Sequence, residues 1–232
     1  MESAARQYLE RDWLLHIDMM EVISRGDARI LDATDDGVLL FSEAGLAYMM
    51  SARDGQTATR MLGQLTDAKV FVAHQAFYIE LIQRRFNLKT LMPCHQAAYF
   101  GHEHLEAQSS PCEIRRLDLS HLDFVLSHYS NSSDREYIAE RLQAGVVFGA
   151  FVESQPAGFI GEHAEGSLGM LEILPDYRRR GIGEALAIQA TNRHLRQGFT
   201  PFSQIKAGNL ASLALQKKLG YNVSDELICW IF

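Results

Sequence analysis

Residues 171–186 read Leu171-Glu172-Ile173-Leu174-Pro175-Asp176-Tyr177-Arg178-Arg179-Arg180-Gly181-Ile182-Gly183-Glu184-Ala185-Leu186. An apolar, strand-like stretch stops at a proline, and two glycines one residue apart then open a helical pattern. Glycine lets the backbone turn sharply and approach a ligand closely. The first turn of a helix carries N–H donors with no intrahelical partner. The helix dipole adds an attraction of ~0.3–1 kcal/mol, rising to ~2 kcal/mol when partly buried. Together these make a cradle for an anion, most often a phosphate. The plainer reading of the same residues is a charged surface loop followed by a helix.

Two nucleotide motifs were tested against this stretch. A phosphate loop of the G-x-x-x-x-G-K-[ST] type does not occur. A dinucleotide fingerprint needs a third glycine and an acid about 20 residues on. Leu186 stands at the third glycine position, and the next strand candidate, Phe202-Ser203-Gln204-Ile205-Lys206, ends without an acid. A nucleotide-binding oxidoreductase is therefore disfavoured. His95, His102 and His104 with Glu103 raise the question of a metal, but no ordered Cys/His pairs and no H-E-x-x-H are present, so no metal is expected. Cys94 lies in an apolar strand candidate and reads as a buried, inert thiol.

The elements that must hold this segment follow from periodicity. In the C-terminal half we expect strands at 114–117, 146–152, 157–161, 170–174, 202–206 and 226–232, with Gln155-Pro156 as a turn. Helices are expected at 122–128, 135–143, 180–196 and 210–219, with Asp134 and Asn209 as N-caps. In the N-terminal half, Leu9, Trp13, Ile17 and Met20 recur on one helical face. Strands follow at 28–32, 38–41, 47–50, 69–73 and 90–99, and helices at 57–65 and 76–86. Gly101 to Pro111 is polar and reads as a linker. The expected organisation is α/β (α+β): residues 1–108 form a smaller α/β domain and residues 109–232 a second domain.

Composition bounds the partners. The 232 residues include 22 Lys and Arg against 29 Asp and Glu, a formal charge of −7. Such a chain is a poor general polyanion binder, so nucleic acid is not an expected partner. No apolar run approaches the ~20 residues of a membrane span, and the N-terminus lacks a signal-peptide pattern. Three widely spaced cysteines, Cys94, Cys112 and Cys229, point to a reducing, cytoplasmic setting. A local amide cradle binds an anion whatever the net charge.

Arg178-x-x-Gly181-x-Gly183 resembles the acyl-CoA pyrophosphate signature, [RQ]-x-x-G-x-[GA], of the GNAT superfamily of N-acyltransferases. Ile173-x-Pro175 before it, and Asn209-Leu210-Ala211-Ser212 and Leu219-Gly220-Tyr221 after it, are similar to that family's neighbouring motifs. The stretch from Gly198 to Trp230 resembles the FR47-like and glycine N-acyltransferase-like branch. The resemblance covers residues 113–232 and implies a mixed sheet flanked by helices. It implies that Leu171, Glu172 and Ile173 lie along the pantetheine arm. Arg178, Arg179, Arg180, Gly181, Ile182, Gly183, Glu184 and Ala185 would wrap the pyrophosphate, mainly through backbone N–H groups. Asn209 would bond the pantetheine region and Ser212 a phosphate. Lys217 and Lys218 would suit a 3′-phosphate, but exposed helix lysines are commonplace. The implied co-substrate is acetyl-CoA or another acyl-CoA, and the acceptor is a small-molecule or peptide amine. The N-terminal half is similar to acceptor-side domains of that branch in its α/β pattern alone.

Direct transfer needs a neutral amine. At pH 7 an α-amine of pKa ~7.7–8.0 costs about 1 kcal/mol to deprotonate, and a lysine at ~10.4 about 4.6 kcal/mol. The family's usual glutamate base would fall at Ser167 and its usual tyrosine acid at Gln216, so both are absent. The base candidates are then Glu172, Glu165 and Glu162, with His163 beside them. A thiolate of pKa ~8.5 leaves without an acid. The alternative is a catalytically idle acyl-CoA-binding regulatory module.

Overall fold

The computed structural model describes residues 1–106, 112–129 and 134–232. The domain boundary expected near residue 109 lies outside the described residues. The chain groups into two compact units: Met1–Ala98 with Phe202–Phe232, and Tyr99–Pro201.

The first unit is built on a seven-stranded sheet. Its strands are β1 (Ala28–Thr34), β2 (Gly37–Ser42), β3 (Ala47–Ala52), β4 (Phe71–Ala73), β5 (Leu91–Ala98), β10 (Phe202–Lys206) and β11 (Asn222–Ile231). The order across the sheet is β1-β2-β3-β4-β11-β5-β10. β3 and β4 run parallel and the other pairs antiparallel. Both faces are covered. Leu40, Met49, Val72 and Ile228 bury towards α1 (Glu2–Leu9) and α2 (Ile17–Ser24). Their neighbours Leu39, Met50, Phe71 and Cys229 bury towards α3 (Gly55–Leu62) and α4 (Ile79–Phe86). Successive strand residues point to opposite faces, so a strand buried on both reads as continuously apolar. That is why 226–232 lacks alternation. α8 (Leu210–Lys218) completes the unit; Asn209 caps it, accepting from the Ser212 N–H at 3.1 Å.

The single N-terminal helix expected from Leu9 to Met20 is two helices. A 3₁₀ turn, Glu10–Asp12, separates α1 from α2, and Trp13 is 45 % exposed rather than packed. The break has a polar cause. The Leu9 carbonyl accepts from His16 Nδ1 at 3.0 Å, and the Asp12 carboxylate accepts from the Leu15 N–H at 3.1 Å. Behind it runs a buried polar seam. His16 Nε2 meets Ser51 Oγ at 2.8 Å, His74 Nε2 meets Asp18 Oδ1 at 2.8 Å, and Gln204 donates to Asp18 Oδ2 at 3.1 Å.

The second unit is a four-stranded antiparallel sheet, β6 (Glu113–Arg116), β7 (Phe148–Val152), β8 (Gln155–Glu162) and β9 (Leu168–Ile173), in that order. The turn expected at Gln155-Pro156 is instead Glu153-Ser154. Both have positive φ, +48° and +67°, which suits a two-residue hairpin. α5 (Leu122–His128) and α6 (Arg135–Gln143) bury Val125, Ile138 and Leu142 with Phe159 of β8. Asp134 caps α6, accepting from the Glu136 and Tyr137 N–H groups. α7 (Ile182–Gln197) packs on the other face. The direction is set by two consecutive residues: Glu162 meets His194 of α7, and His163 meets Tyr137 of α6. The chain is thus mixed α/β, a sheet core flanked by helices with an additional N-terminal α/β region.

Candidate functional site

β9 is the terminal strand of its sheet, so one edge of its backbone has no sheet partner. It is also bulged. Phe159 pairs with Glu172 and Gly161 with Gly169, so Met170 and Leu171 together oppose Ile160. Met170 has φ +52°, a left-handed conformation that a non-glycine residue adopts only where the surroundings enforce it. A bulge leaves a residue outside the ladder and re-aims its backbone groups. Leu171, Glu172 and Ile173 of this strand are half-buried.

The chain then passes through a 3₁₀ turn, Pro175–Tyr177, into the arginine loop. Arg178 Nε donates to the Ile173 carbonyl at 3.0 Å and ties the start of the loop to the end of the strand. The Arg180 guanidinium lies over the Tyr177 ring at 5.5 Å. Arg178, Arg179 and Arg180 are all exposed. Arg179 (φ +59°) and Gly181 (φ +80°) are both left-handed. No side chain caps α7 at Gly181, and the Ala185 N–H bonds the Gly181 carbonyl at 3.0 Å. Ahead of Ala185, the N–H groups of residues 182–184 form the helix's donor cluster. Ile182 and Ala185 are buried, so their side chains belong to the core and only their backbone faces a ligand.

The two glycines have different reasons. Gly181 holds a conformation that costs an L side chain ~1–2 kcal/mol. At Gly183 an added Cβ would sit 3.5 Å from Ile173 Cγ1, an ordinary contact. The protein itself thus leaves room for a methyl group at 183, and the glycine there keeps the open side of the helix start bare.

The carboxylates are distributed unevenly. Glu162, on the α7 face, is buried and accepts from Arg193 Nη1 at 2.7 Å and His194 Nε2 at 2.8 Å. Glu165, in the β8–β9 turn, is buried and accepts from Ser167 Oγ at 2.5 Å. Ser167 therefore carries no carboxylate of its own but holds that of Glu165. Glu172 pairs across the strands with Phe159, so both lie on the α5–α6 face. On the same face, Tyr137 Oη and His163 Nδ1 are 2.6 Å apart. Burial pushes the Tyr137 hydroxyl above and the His163 imidazole below their usual ranges. Tyr137 had no sequence signal beyond its place on an amphipathic helix.

The structure gathers Leu171 to Ala185 into one continuous strand–loop–helix. Asn209 and Ser212 lie in the other unit, at the start of α8. The Asn209 side-chain oxygen is committed to the Ser212 N–H, as a helix cap requires. Gln216, where a tyrosine was expected by resemblance, donates to Ser203 Oγ at 3.1 Å. Burial pushes the Cys94 thiol up to about 12, which makes it inert. Among the described residues no His, Cys, Asp and Glu group is placed to hold a metal, and no helix is long and apolar enough to cross a membrane.

The FR47-like protein family model matches residues 149–231. No curated protein sequence matches the chain. Among solved structures, a Drosophila protein superposes with a TM-score of 0.71 at 17 % identity, over 99 % of this chain and 94 % of the other. A putative acetyltransferase of the GNAT family from Novosphingobium aromaticivorans gives 0.59 at 13 % identity, over 94 % and 95 %. A GCN5-related N-acetyltransferase-like protein from Streptococcus suis gives 0.56 at 14 % identity, over 98 % and 99 %. The identities are low and the coverage nearly complete, so the likeness is one of fold. The chain shares the fold of these GNAT-family structures, and its residues 149–231 match the FR47-like model.

Proposed function

We propose that the protein is an acyl-CoA-dependent N-acyltransferase that moves an acyl group, acetyl in the first instance, directly to a small-molecule or peptide amine. The observation that carries this reading is the bulged, edge-open strand β9 running into the uncapped start of α7. Pantetheine carries two amides and suits an open strand edge. A pyrophosphate suits the donors of residues 182–184, with Arg178 to Arg180 adding charge. The GNAT-type fold supports the same activity.

In the reaction the amine nitrogen attacks the thioester carbon, the C–N bond forms, and the C–S bond breaks to release the thiolate. We assign a backbone N–H at the bulge to the carbonyl oxygen, which gains charge as the amine attacks. Of the carboxylates, Glu172 lies on the strand that would hold the pantetheine arm. Glu165 is held one turn away, and Glu162 is committed to Arg193 and His194. We assign the protein to a reducing, cytoplasmic setting, on its three free cysteines.

Calorimetry with acetyl-CoA and longer acyl-CoAs, followed by free-thiol release over a panel of amino acids, polyamines and peptides, tests the proposal. Binding with amine-dependent thiol release is the expected result. Binding without release identifies a regulatory acyl-CoA module, the reading favoured by Ser167 and Gln216 at the usual base and acid positions. No binding at millimolar ligand removes both.

A further inference from the structure

We infer that His163 is the group that takes the proton from the acceptor amine, through Nε2, and that Tyr137 holds its ring in the tautomer this requires. The inference rests on the acyltransferase reading and names the base of the same site.

Placement is the first argument. The Nε2–Cδ2 edge of the imidazole lies against Gly169: a Cβ built there would fall 2.5 Å from Nε2 and 2.6 Å from Cδ2. Gly169 immediately precedes the bulge formed by Met170 and Leu171. Nε2 is therefore held within about one residue step, ~3.8 Å along the backbone, of the bulge. A glycine at 169 is what admits the ring. His163 is also half-buried rather than sealed.

The tautomer is the second argument. Nδ1 is 2.6 Å from Tyr137 Oη. A phenol oxygen has two lone pairs, either of which can take Nδ1–H. With the proton on Nδ1, the Nε2 lone pair points away from Tyr137 and is free to accept. The two rings have centroids 6.1 Å apart and planes 19° apart, so the contact runs close to the plane of both and fixes the ring orientation.

The electrostatic setting is the third. On the face of the imidazole lie Tyr137 and Arg141 from α6, Glu165 from the β8–β9 turn and Glu172 from β9, while Glu162 acts from the opposite face of the sheet. Glu165 and Glu162 favour the imidazolium, while burial and Arg141 oppose it, and burial is the largest effect. The ring is thus neutral at pH 7 and able to accept. As the amine nitrogen forms its bond to the thioester carbon it loses one proton to Nε2. The C–S bond breaks, and the imidazolium returns that proton to the departing thiolate.

Histidine-selective ¹⁵N NMR of the wild-type protein, with the His163 ring assigned from its contacts to Tyr137, reads the tautomer without turnover. A proton on Nδ1 is expected; a proton on Nε2 overturns the inference. Kinetics provide the second arm. His163→Gln is expected to lower kcat by on the order of 10²-fold or more while its acetyl-CoA affinity by calorimetry stays within about threefold, which also shows that the variant folds. The wild-type kcat/KM profile should fall on an acidic limb lying below the ordinary imidazole value of ~6.5, and His163→Gln should lose that limb. Tyr137→Phe should keep the limb but lower kcat by roughly tenfold, because the ring is no longer held in one tautomer. A wild type that turns over and a His163→Gln variant within about threefold of it overturn the inference and leave the acyltransferase reading standing. A wild type that binds acetyl-CoA but releases no thiol with any amine removes the acyltransferase reading, and this base assignment with it.

Discussion

Both compact units bury histidines among polar partners, but they use them differently. In the first unit the two buried histidines, His16 and His74, engage both ring nitrogens. His16 Nδ1 donates to the Leu9 carbonyl and Nε2 meets Ser51; His74 Nδ1 meets the Met50 carbonyl at 3.1 Å and Nε2 meets Asp18. His74 and Asp18 are both 0 % exposed. In the second unit His163 spends one nitrogen on Tyr137 and lays the other edge on a glycine. A histidine with both nitrogens bonded is a bracket between strands. One with a single nitrogen bonded and a half-open environment has chemistry to spare. Residue type does not distinguish the two cases; the accounting of hydrogen bonds does.

That contrast can be broken at its strongest point. Asp18→Ala strands His74 Nε2 and the Gln204 amide in the core of the first unit and should cost about 3–5 kcal/mol of stability by urea denaturation. A loss below ~1 kcal/mol would mean that the seam is not a bracket at all.

Acid provides the next test. Burial and the neighbouring His74 pull His16 down to about 4 from an ordinary value of 6.5. The unfolded chain then binds more protons than the folded one between those values. His16 therefore contributes full stability above pH 6.5, and loses about 3 kcal/mol of it as pH falls to 4. Denaturation at stepped pH should show that slope, and His16→Gln should flatten it.

The second unit has its own counterpart. Gly169→Ala puts a methyl group 2.5 Å from His163 Nε2 and must push the ring off Tyr137. Turnover should fall by about tenfold or more, roughly 1.4 kcal/mol, with acetyl-CoA affinity unchanged. The seam of the first unit offers no equivalent, because no change there should touch turnover without touching stability.

The smallest expected effects separate the two glycines of the loop. Gly181→Ala should cost ~1–2 kcal/mol in thermal denaturation, from its left-handed backbone. Gly183→Ala should stay within about 0.5 kcal/mol. Equal losses at both positions would show that packing, not backbone conformation, governs the loop.

The strand–loop–helix of residues 171–185 was legible because its determinants are local. Gly181 at a positive φ and the amphipathic run of α7 sit within one short stretch of chain, and no distant contact is needed to place them. α5, α6 and β10 were read to the residue for the same reason. The N-terminal helix was misread because its apolar spacing at Leu9, Trp13, Ile17 and Met20 continues through a point where His16 and Asp12 capture backbone groups. Such local side-chain capture of the backbone is not carried by apolar periodicity. The His163–Tyr137 pair was half visible: the histidine stood beside the carboxylates, but its partner lies 26 residues away on α6. The pairing of β5 between β10 and β11 left no trace in the pattern of any single strand.

That last pairing sets a timetable. β11 lies between β4 and β5, and His95 Nδ1 donates to the Ser224 carbonyl across 129 residues of chain. Among the strands of the larger sheet, an interior one is thus the last to leave the ribosome. When β4 and β5 emerge, the edges that will flank β11 are both unpaired and apolar, a state open to wrong partners. At ~5–20 residues per second the wait lasts roughly 6–25 seconds. The protein's dependence on chaperones should therefore be concentrated in that interval, and slowing translation after residue 98 should lower its yield more than slowing it before.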